Sequence, residues 1–331
     1  MRKLGAIILL AAAALTQSAA SPPYRYLRAG AAANVRAATR GGFALIGGGT
    51  DLDQAFQWMC ERSGHGDFLI LRASGTDAYN PYVQKLCPDE NSVATLILPS
   101  RAAALDPFAA RTIRAAGAIF LAGGDQSNYV NYWADTPVQK ELNDAIRRGV
   151  PLGGTSAGLA VLGEWGYSAQ HDRPDGPDLT SAVALANPYQ DQVVLAHDFV
   201  RIPALRGIVT DTHFHNRNRL GRLLVFLARI LQDNPAARVH GIGVDQHTAL
   251  LVEPSGAARA AGTGAVYLFS ADHPATLCRA GAALEFHGIA VRRLRAGDHF
   301  DLHAWAGSGT AYTLDVSTGT VRSTQPGGDI Y

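Results

Sequence analysis

The sequence predicts an α/β fold: three layers around a doubly wound, mostly parallel sheet, followed by a β-rich C-terminal appendage. Two observations predict the layered part. Short apolar runs alternate with stretches suited to helices, and glycine clusters close several of the runs. Strands of that kind are buried on both faces, which calls for a parallel sheet covered by helices. A third observation predicts the appendage. From about Gly256 the runs become short and are separated by glycine and polar turns, without helical stretches between them.

The elements follow in order. Phe43–Ile46 is a short apolar run that ends in Gly47-Gly48-Gly49, and Thr50 or Asp51 is suited to cap a helix reaching about Arg62. Asp67–Leu71, Val93–Leu98 and Ala118–Ala122 are further strands, with helices expected over Asp106–Ala115 and Thr136–Arg148. Val150–Leu152 leads into Gly153-Gly154. Past His213, Leu220, Leu223, Leu224, Leu227 and Leu231 recur at three- and four-residue spacing, which gives a helix one apolar face. Gly241–Val252 is another strand region. Ala265–Phe269, Ile289–Arg293 and Ala311–Val316 are strands of the appendage.

Composition excludes some classes. The chain has 331 residues, 47% hydrophobic and 17% charged, with a net charge of +1. That is a globular balance and gives no reason to invoke nucleic acid. Residues 1–20 resemble a signal peptide. Arg2 and Lys3 precede the apolar run Leu4–Leu15, and Ser18-Ala19-Ala20 places small residues where a signal peptidase cuts. The run is short for a span, which needs roughly 20 residues. An uncleaved anchor is the alternative. Cleavage would shift the net charge from +1 to −1, because two basic residues and no acidic one are removed. The expected product is secreted or periplasmic, with no membrane contact after cleavage. Residues 21–40 are expected as a linker, 41–255 as the catalytic domain and 256–331 as the extension. In an oxidising compartment Cys60 and Cys87 are the better-placed pair for a disulfide, leaving Cys278; three buried apolar cysteines are the alternative.

The chemistry centres on Gly154-Thr155-Ser156-Ala157-Gly158. This G-x-S-x-G pattern marks a sharp strand-to-helix turn that exposes a nucleophilic serine, and small neighbours permit the strained backbone. The pentapeptide is weakly specific in a chain rich in Gly and Ala, and a plain glycine-rich turn is the alternative. Its setting, after a strand and before the helix-like Leu159–Glu164, favours the nucleophile. The Ala157 N–H, at a helix start, is a natural oxyanion donor. Gly124, at the end of the preceding strand, offers a second, and Gln126 beyond it is placed to orient substrate. A hydroxyl nucleophile needs a base. Of eleven histidines, His213 is the best candidate, because it ends a strand-like run and precedes the long helix; His215 is second. Arg217, Arg219 and Arg222 stand at the start of that helix, where cations are disfavoured, which favours a substrate carboxylate as their partner; an ordinary solvated helix face is the alternative. The spacing of the three cysteines resembles no zinc pattern, and no metal or cofactor is expected.

Together these segments resemble the serine peptidase family of cyanophycinase and dipeptidase E. Phe120–Gln126 is similar to the family's strand ending in G-G-x-Q, and Gly154–Gly158 to its G-T-S-A-G. Asp211-Thr212-His213-Phe214, followed by Arg217, Arg219 and Arg222, is similar to its D-Q-H-F-x-x-R-x-R-L-G-R-L. Gly241–Ala249 is similar to its G-I-G-I-D-E-x-T-A. The resemblance runs from about Gly42 to Val252. It implies a class I glutamine amidotransferase-like fold and an exopeptidase without metal, acting on an aspartate-containing peptide such as a β-aspartyl-arginine polymer. It implies Ser156 as nucleophile, His213 as base, and a pocket lined by Gln126, Asp211, Arg217, Arg219 and Arg222. The sequence departs at Thr212, where the family has Gln, and at Gln246, where it has Glu. The third member of the triad is expected at Asp172, by its distance after the serine, with Asp175 close by. A non-catalytic binding protein and an esterase are the competing functions. A homodimer is carried as an expectation.

Overall fold

A computed structural model describes residues 21–173, 176–235 and 238–331. The expected signal peptide and Asp175 lie outside the described residues. In chain order the strands are β1 (Arg25–Gly30), β2 (Phe43–Ile46), β3 (Asp67–Arg72), β4 (Ser92–Ile97), β5 (Ala118–Leu121), β6 (Leu152–Thr155), β7 (Trp165–Tyr167), β8 (Leu195–His197) and β9 (Ile208–Asp211). They continue with β10 (His240–Val244), β11 (Thr248–Val252), β12 (Ala257–Gly262), β13 (Val266–Ser270), β14 (Phe286–Leu294), β15 (His299–Asp301), β16 (Ala306–Gly307), β17 (Thr310–Ser317) and β18 (Thr320–Ser323). The helices are α1 (Asp53–Ser63), α2 (Tyr79–Leu86), α3 (Arg101–Leu105), α4 (Pro107–Ala115), α5 (Gln126–Trp133), α6 (Pro137–Arg147), α7 (Ala157–Ala160), α8 (Ser181–Ala186) and α9 (Leu220–Asp233).

The apolar runs form the expected strands, but they divide between two mixed sheets. Among the described residues one sheet has the order β1-β4-β3-β5-β6-β2-β11-β12-β15-β16, and the other β18-β17-β14-β13-β10-β9-β7-β8. The first has a parallel centre, β4-β3-β5-β6-β2, and antiparallel flanks. The second has a parallel centre, β7-β9-β10. A single doubly wound sheet was the sequence expectation. The split arises after the Ser156 turn. There β9 does not pair with β6; it lies against α7, with Thr210 Oγ1 donating to the Leu159 carbonyl at 3.3 Å. Apolar runs specify strands, and partners are chosen by this packing.

The core is layered accordingly. Phe56, Trp58 and Met59 of α1 pack on Ile46, Phe68 and Phe120 of the first sheet. Leu45, Leu250 and Val252 of that sheet share a second core with Ile242, Val244 and Leu268 of the other. The apolar face of α9, with Leu223, Leu224 and Leu227, covers the far side of the second sheet together with Phe214 and Phe269. The expected spacing of leucines thus faces a sheet, as an amphipathic helix should.

Two expectations of domain structure change. Residues 25–30, expected inside a linker, pair antiparallel with β4 at the edge of the first sheet. The boundary near 255 falls inside a hairpin, because β11 pairs with β12. Strands beyond it extend both sheets: β15 and β16 the first, β13, β14, β17 and β18 the second. The β-rich tail is therefore part of the same layers. The short strands looked separable because each carries few residues, while their pairing is with distant ones. Cys60 of α1 is bonded to Cys87, which caps α2, and Cys278 is buried and free. No described helix is long and apolar enough to cross a membrane.

Candidate active site

Five parallel strands end around one cleft edge: β5 before Gly123-Gly124, β6 before Ser156, β2 before Gly47-Gly48, β9 before His213 and β10 before Gln246. Carboxyl ends of parallel strands are where such folds build sites. Ser156 sits between β6 and α7 with φ 52° and ψ −117°. A non-glycine residue there is strained, and the close packing of its neighbours holds it. A Cβ on Gly154 would stand 2.5 Å from the Gly158 carbonyl carbon, and one on Gly158 would stand 2.0 Å from the Leu121 carbonyl oxygen. Only glycine fits at either end of the turn, which gives the pattern its physical reason. The Ser156 N–H donates to the Ile46 carbonyl at 3.1 Å and ties the turn to β2.

His213 is brought from the other sheet. Its N–H donates to the Gly47 carbonyl at 2.8 Å, and the next N–H, of Phe214, donates to Val244 at 3.1 Å. The imidazole is 5% exposed. Gly48 lies against it, with φ +100°, and a Cβ there would stand 2.3 Å from His213 Cε1. His213 Nε2 is 2.7 Å from Ser156 Oγ. That is the geometry of a general base on a nucleophile. Burial, and then Arg217 and Arg219, push the His213 pKa down to about 4, against the pull of Asp211. The imidazole is therefore neutral at ordinary pH, as a base must be.

On its far side His213 Nδ1 is 2.7 Å from the side-chain amide of Gln246. Asp172, the expected third member, is engaged elsewhere. It accepts from Tyr167 Oη and, at 2.7 Å, from Gln192 Nε2. Distance along the chain from Ser156 does not identify the His213 partner, because Asp172 is held by Tyr167 and Gln192 instead. The residue that meets Nδ1 follows β10, beside β9 in the second sheet. Gln246 is fixed by its own N–H, which donates to Asn216 Oδ1 at 2.9 Å, and by Thr248 Oγ1, which donates to its carbonyl at 3.0 Å. An amide reaches Nδ1 with its nitrogen or, after a flip, with its oxygen. If the nitrogen donates, His213 Nε2 carries the hydrogen and cannot accept from Ser156. If the oxygen accepts from Nδ1–H, Nε2 is free to take the serine proton.

The other predicted residues divide in two. Gly123 adjoins the nucleophile, its Cβ position lying 3.5 Å from Ser156 Cβ, so the turn through Gly124 lines the cleft. Ala157 is the first residue of α7, and its N–H has no intrahelical acceptor. Gln126 opens α5 and donates to the Tyr167 carbonyl at 3.3 Å. His215 turns away: its N–H donates to Asp245 Oδ1 at 2.8 Å and its ring stacks on Tyr331. Asp211 and Arg222, expected in the pocket, are buried and saturated by each other. Arg222 Nε and Nη2 donate to the two Asp211 oxygens at 2.7 and 2.6 Å, and Nη1 donates to the Leu179 carbonyl at 3.3 Å. With side chains 1% and 2% exposed, they are out of reach of a ligand. Arg219 is mostly buried and donates from Nη1 to Thr212 O and Oγ1, both at 3.1 Å. Arg217 is half-exposed. Both also meet Asp178.

Comparison with known proteins gives this arrangement a family. The model of peptidase family S51 matches residues 45–259. A cyanophycinase of Trichormus variabilis is 30% identical over 200 residues, 58% of this chain and 59% of that protein. A cyanophycinase of Synechococcus elongatus is 31% identical over 232 residues, 67% of this chain and 65% of that protein. The matches thus span about three-fifths of the relatives' length. A crystal structure of a peptidase from an acI-B1 Actinobacterium superposes with a TM-score of 0.52 at 18% identity, covering 80% of this chain and 97% of that one, and so shares the fold. The chain belongs to peptidase family S51.

Proposed function

We propose that this member of peptidase family S51 is an exported serine exopeptidase that cleaves aspartyl peptide bonds through an acyl-enzyme on Ser156. The observation that carries the reading is the 2.7 Å approach of His213 Nε2 to Ser156 Oγ on a strained turn. With the Gln246 oxygen on Nδ1–H, His213 takes the Ser156 proton as Oγ attacks the scissile carbonyl. The Ala157 and Gly124 N–H groups face the developing oxyanion. His213 then passes its proton to the leaving amine, and the acyl-enzyme remains. A water that gives its proton to His213 attacks the ester, and Ser156 leaves with that proton. The scaffold for these steps is of the class I glutamine amidotransferase-like type.

Arg217 and Arg219, one turn from His213, supply the positive charge that favours an acidic peptide. The cyanophycinase relatives support a β-aspartyl-arginine polymer as one substrate of that kind, and residues 1–20 support export. A non-catalytic binding protein is the second reading, favoured by the neutral amide at Gln246. Where a triad aspartate becomes an amide, turnover falls about 10⁴-fold. Incubation with aspartyl dipeptides and the polymer, beside Ser156→Ala, separates the readings. Wild type is expected to release product and to take up a fluorophosphonate on Ser156. Equal turnover by Ser156→Ala removes the mechanism, and absence of both turnover and labelling, with acidic ligands still bound, favours the binding protein.

A further inference from the structure

Asp178 stands in the polar stretch between β7 and α8, and it places a carboxylate of this chain on the arginines of the site. Arg217 Nη1 and Arg219 Nη2 converge on one oxygen, Asp178 Oδ2, at 3.1 and 2.8 Å. That is the way two guanidiniums grip a ligand carboxylate. Asp178 is held there from both sides. Pro177 accepts from Gln192 Nε2 at 3.3 Å, buried Leu179 accepts from Arg222 Nη1 at 3.3 Å, and Thr180 caps α8 through the Val183 N–H at 3.3 Å. Yet its side chain is 56% exposed, so water and solutes reach it.

The charges do not cancel. Arg222 is paired with Asp211, which Arg219 Nη1 also approaches at 3.7 Å, and Arg217 and Arg219 both meet Asp178, so three guanidiniums share two carboxylates. Burial pushes Arg219 down to about 10, so it stays cationic at neutral pH. Burial raises the Asp178 pKa, but Arg219 and Arg217 outweigh it and hold the group below the ordinary carboxylate range. Asp178 is thus an anion whenever an acidic peptide is.

We propose that Asp178 is a specificity-determining residue: it occupies the Arg217–Arg219 fork as a resident competitor, and an acidic peptide binds by displacing it. This rests on the acidic-substrate reading. Two consequences follow from exposure and charge. The Arg217–Asp178 contact is exposed on both sides and exchangeable, and Asp178 itself re-solvates when it leaves the mostly buried Arg219. A peptide without a carboxylate gains nothing from displacing Asp178, so the fork is closed to it.

The test uses the full chain with Ser156→Ala, so that ligand is bound and not turned over. Binding of a C-terminally amidated aspartyl dipeptide and of the matching amidated asparaginyl dipeptide is measured by calorimetry, with and without Asp178→Asn. The expected result is roughly threefold to fivefold tighter binding of the aspartyl dipeptide in Asp178→Asn, with the asparaginyl dipeptide unchanged. Arg217→Ala is expected to reduce that gain, because Arg219 alone then meets Asp178. Equal aspartyl affinity with and without Asp178→Asn, or a parallel shift for both dipeptides, overturns the proposal and leaves the acidic reading standing. Failure of the aspartyl dipeptide to bind either protein overturns the acidic reading and the proposal with it.

Discussion

The molecule carries two arginine–aspartate contacts a few residues apart, and they stand in opposite surroundings. Arg222 and Asp211 are 1% and 2% exposed, and two parallel hydrogen bonds join them. Arg217 and Asp178 are 48% and 56% exposed and share one contact at 3.1 Å. The residue types are the same. Water decides what each pair is for. A buried pair broken on one side strands a charge in a medium that cannot solvate it, so it behaves as a fixed strut. A rim pair re-solvates both partners when it opens, so it behaves as an exchangeable contact. The family resemblance assigned Asp211, Arg217 and Arg222 to one pocket. Burial separates a support, Arg222 with Asp211, from the exposed Arg217.

The comparison is broken most directly at Arg222. Arg222→Ala is expected to lower stability by ~3–5 kcal/mol, read by denaturant unfolding, because Asp211 is left buried with only the Thr212 N–H and a 3.7 Å contact to Arg219. A double replacement, Arg222→Met with Asp211→Leu, is expected to lose much less. If the single and double variants are equally unstable, the strut reading fails.

A third position sharpens the contrast, because there the charge is missing. Gln246→Glu puts a carboxylate on His213 Nδ1, which fixes the tautomer and stabilises the imidazolium. Turnover of an aspartyl peptide is expected to rise by roughly tenfold or more. The pH profile supplies a second readout. In wild type, kcat/KM is expected to fall only below a pH of about 4, where His213 protonates. A carboxylate favours the protonated form, so the acid limb of Gln246→Glu should move up toward the ordinary histidine range of about 6.5. The sign for stability is the reverse of a salt-bridged histidine. The folded value lies below the unfolded one, so the contribution is full above about 6.5 and is lost as pH falls toward 4. Unchanged turnover and an unmoved limb would remove Gln246 as the group that orients the base.

The smallest effect is expected at the rim. Arg217→Ala should change unfolding stability by less than ~1 kcal/mol, while KM for an aspartyl peptide rises and KM for a neutral one does not. A large loss of stability would place Arg217 with the strut.

Much of this was legible from the chain. Ser156 and His213 stand in local patterns whose causes are local: a turn that admits only glycine at Gly154 and Gly158, and a segment at the end of a strand. The strands themselves were marked by apolar runs. What the chain did not disclose is which strand lies beside which. Asp172 was chosen by distance along the sequence, and Gln246 reaches His213 because β10 lies beside β9. The departure at Gln246 was visible as a letter, but its meaning needed the partner across the sheet. The strand Arg25–Gly30 was hidden for the same reason, because its mixed burial follows from an edge position against β4. Burial of Arg222 was also hidden, since the sequence alone does not say which face of α9 turns inward.

The hairpins that follow β11 join both sheets, and this has a consequence for how the chain reaches its native state. The early strands can gather a parallel centre, but β2 and β11 pair across about two hundred intervening residues, and β10 finds its antiparallel neighbour only in β13. The β2–β11 pairing, so distant in sequence, is slow to form. A polypeptide interrupted near residue 255 would present open strand edges on two sheets at once, which is the template for sticking to its own copies. The tail therefore covers an edge of each of the two sheets that bring Ser156 and His213 together.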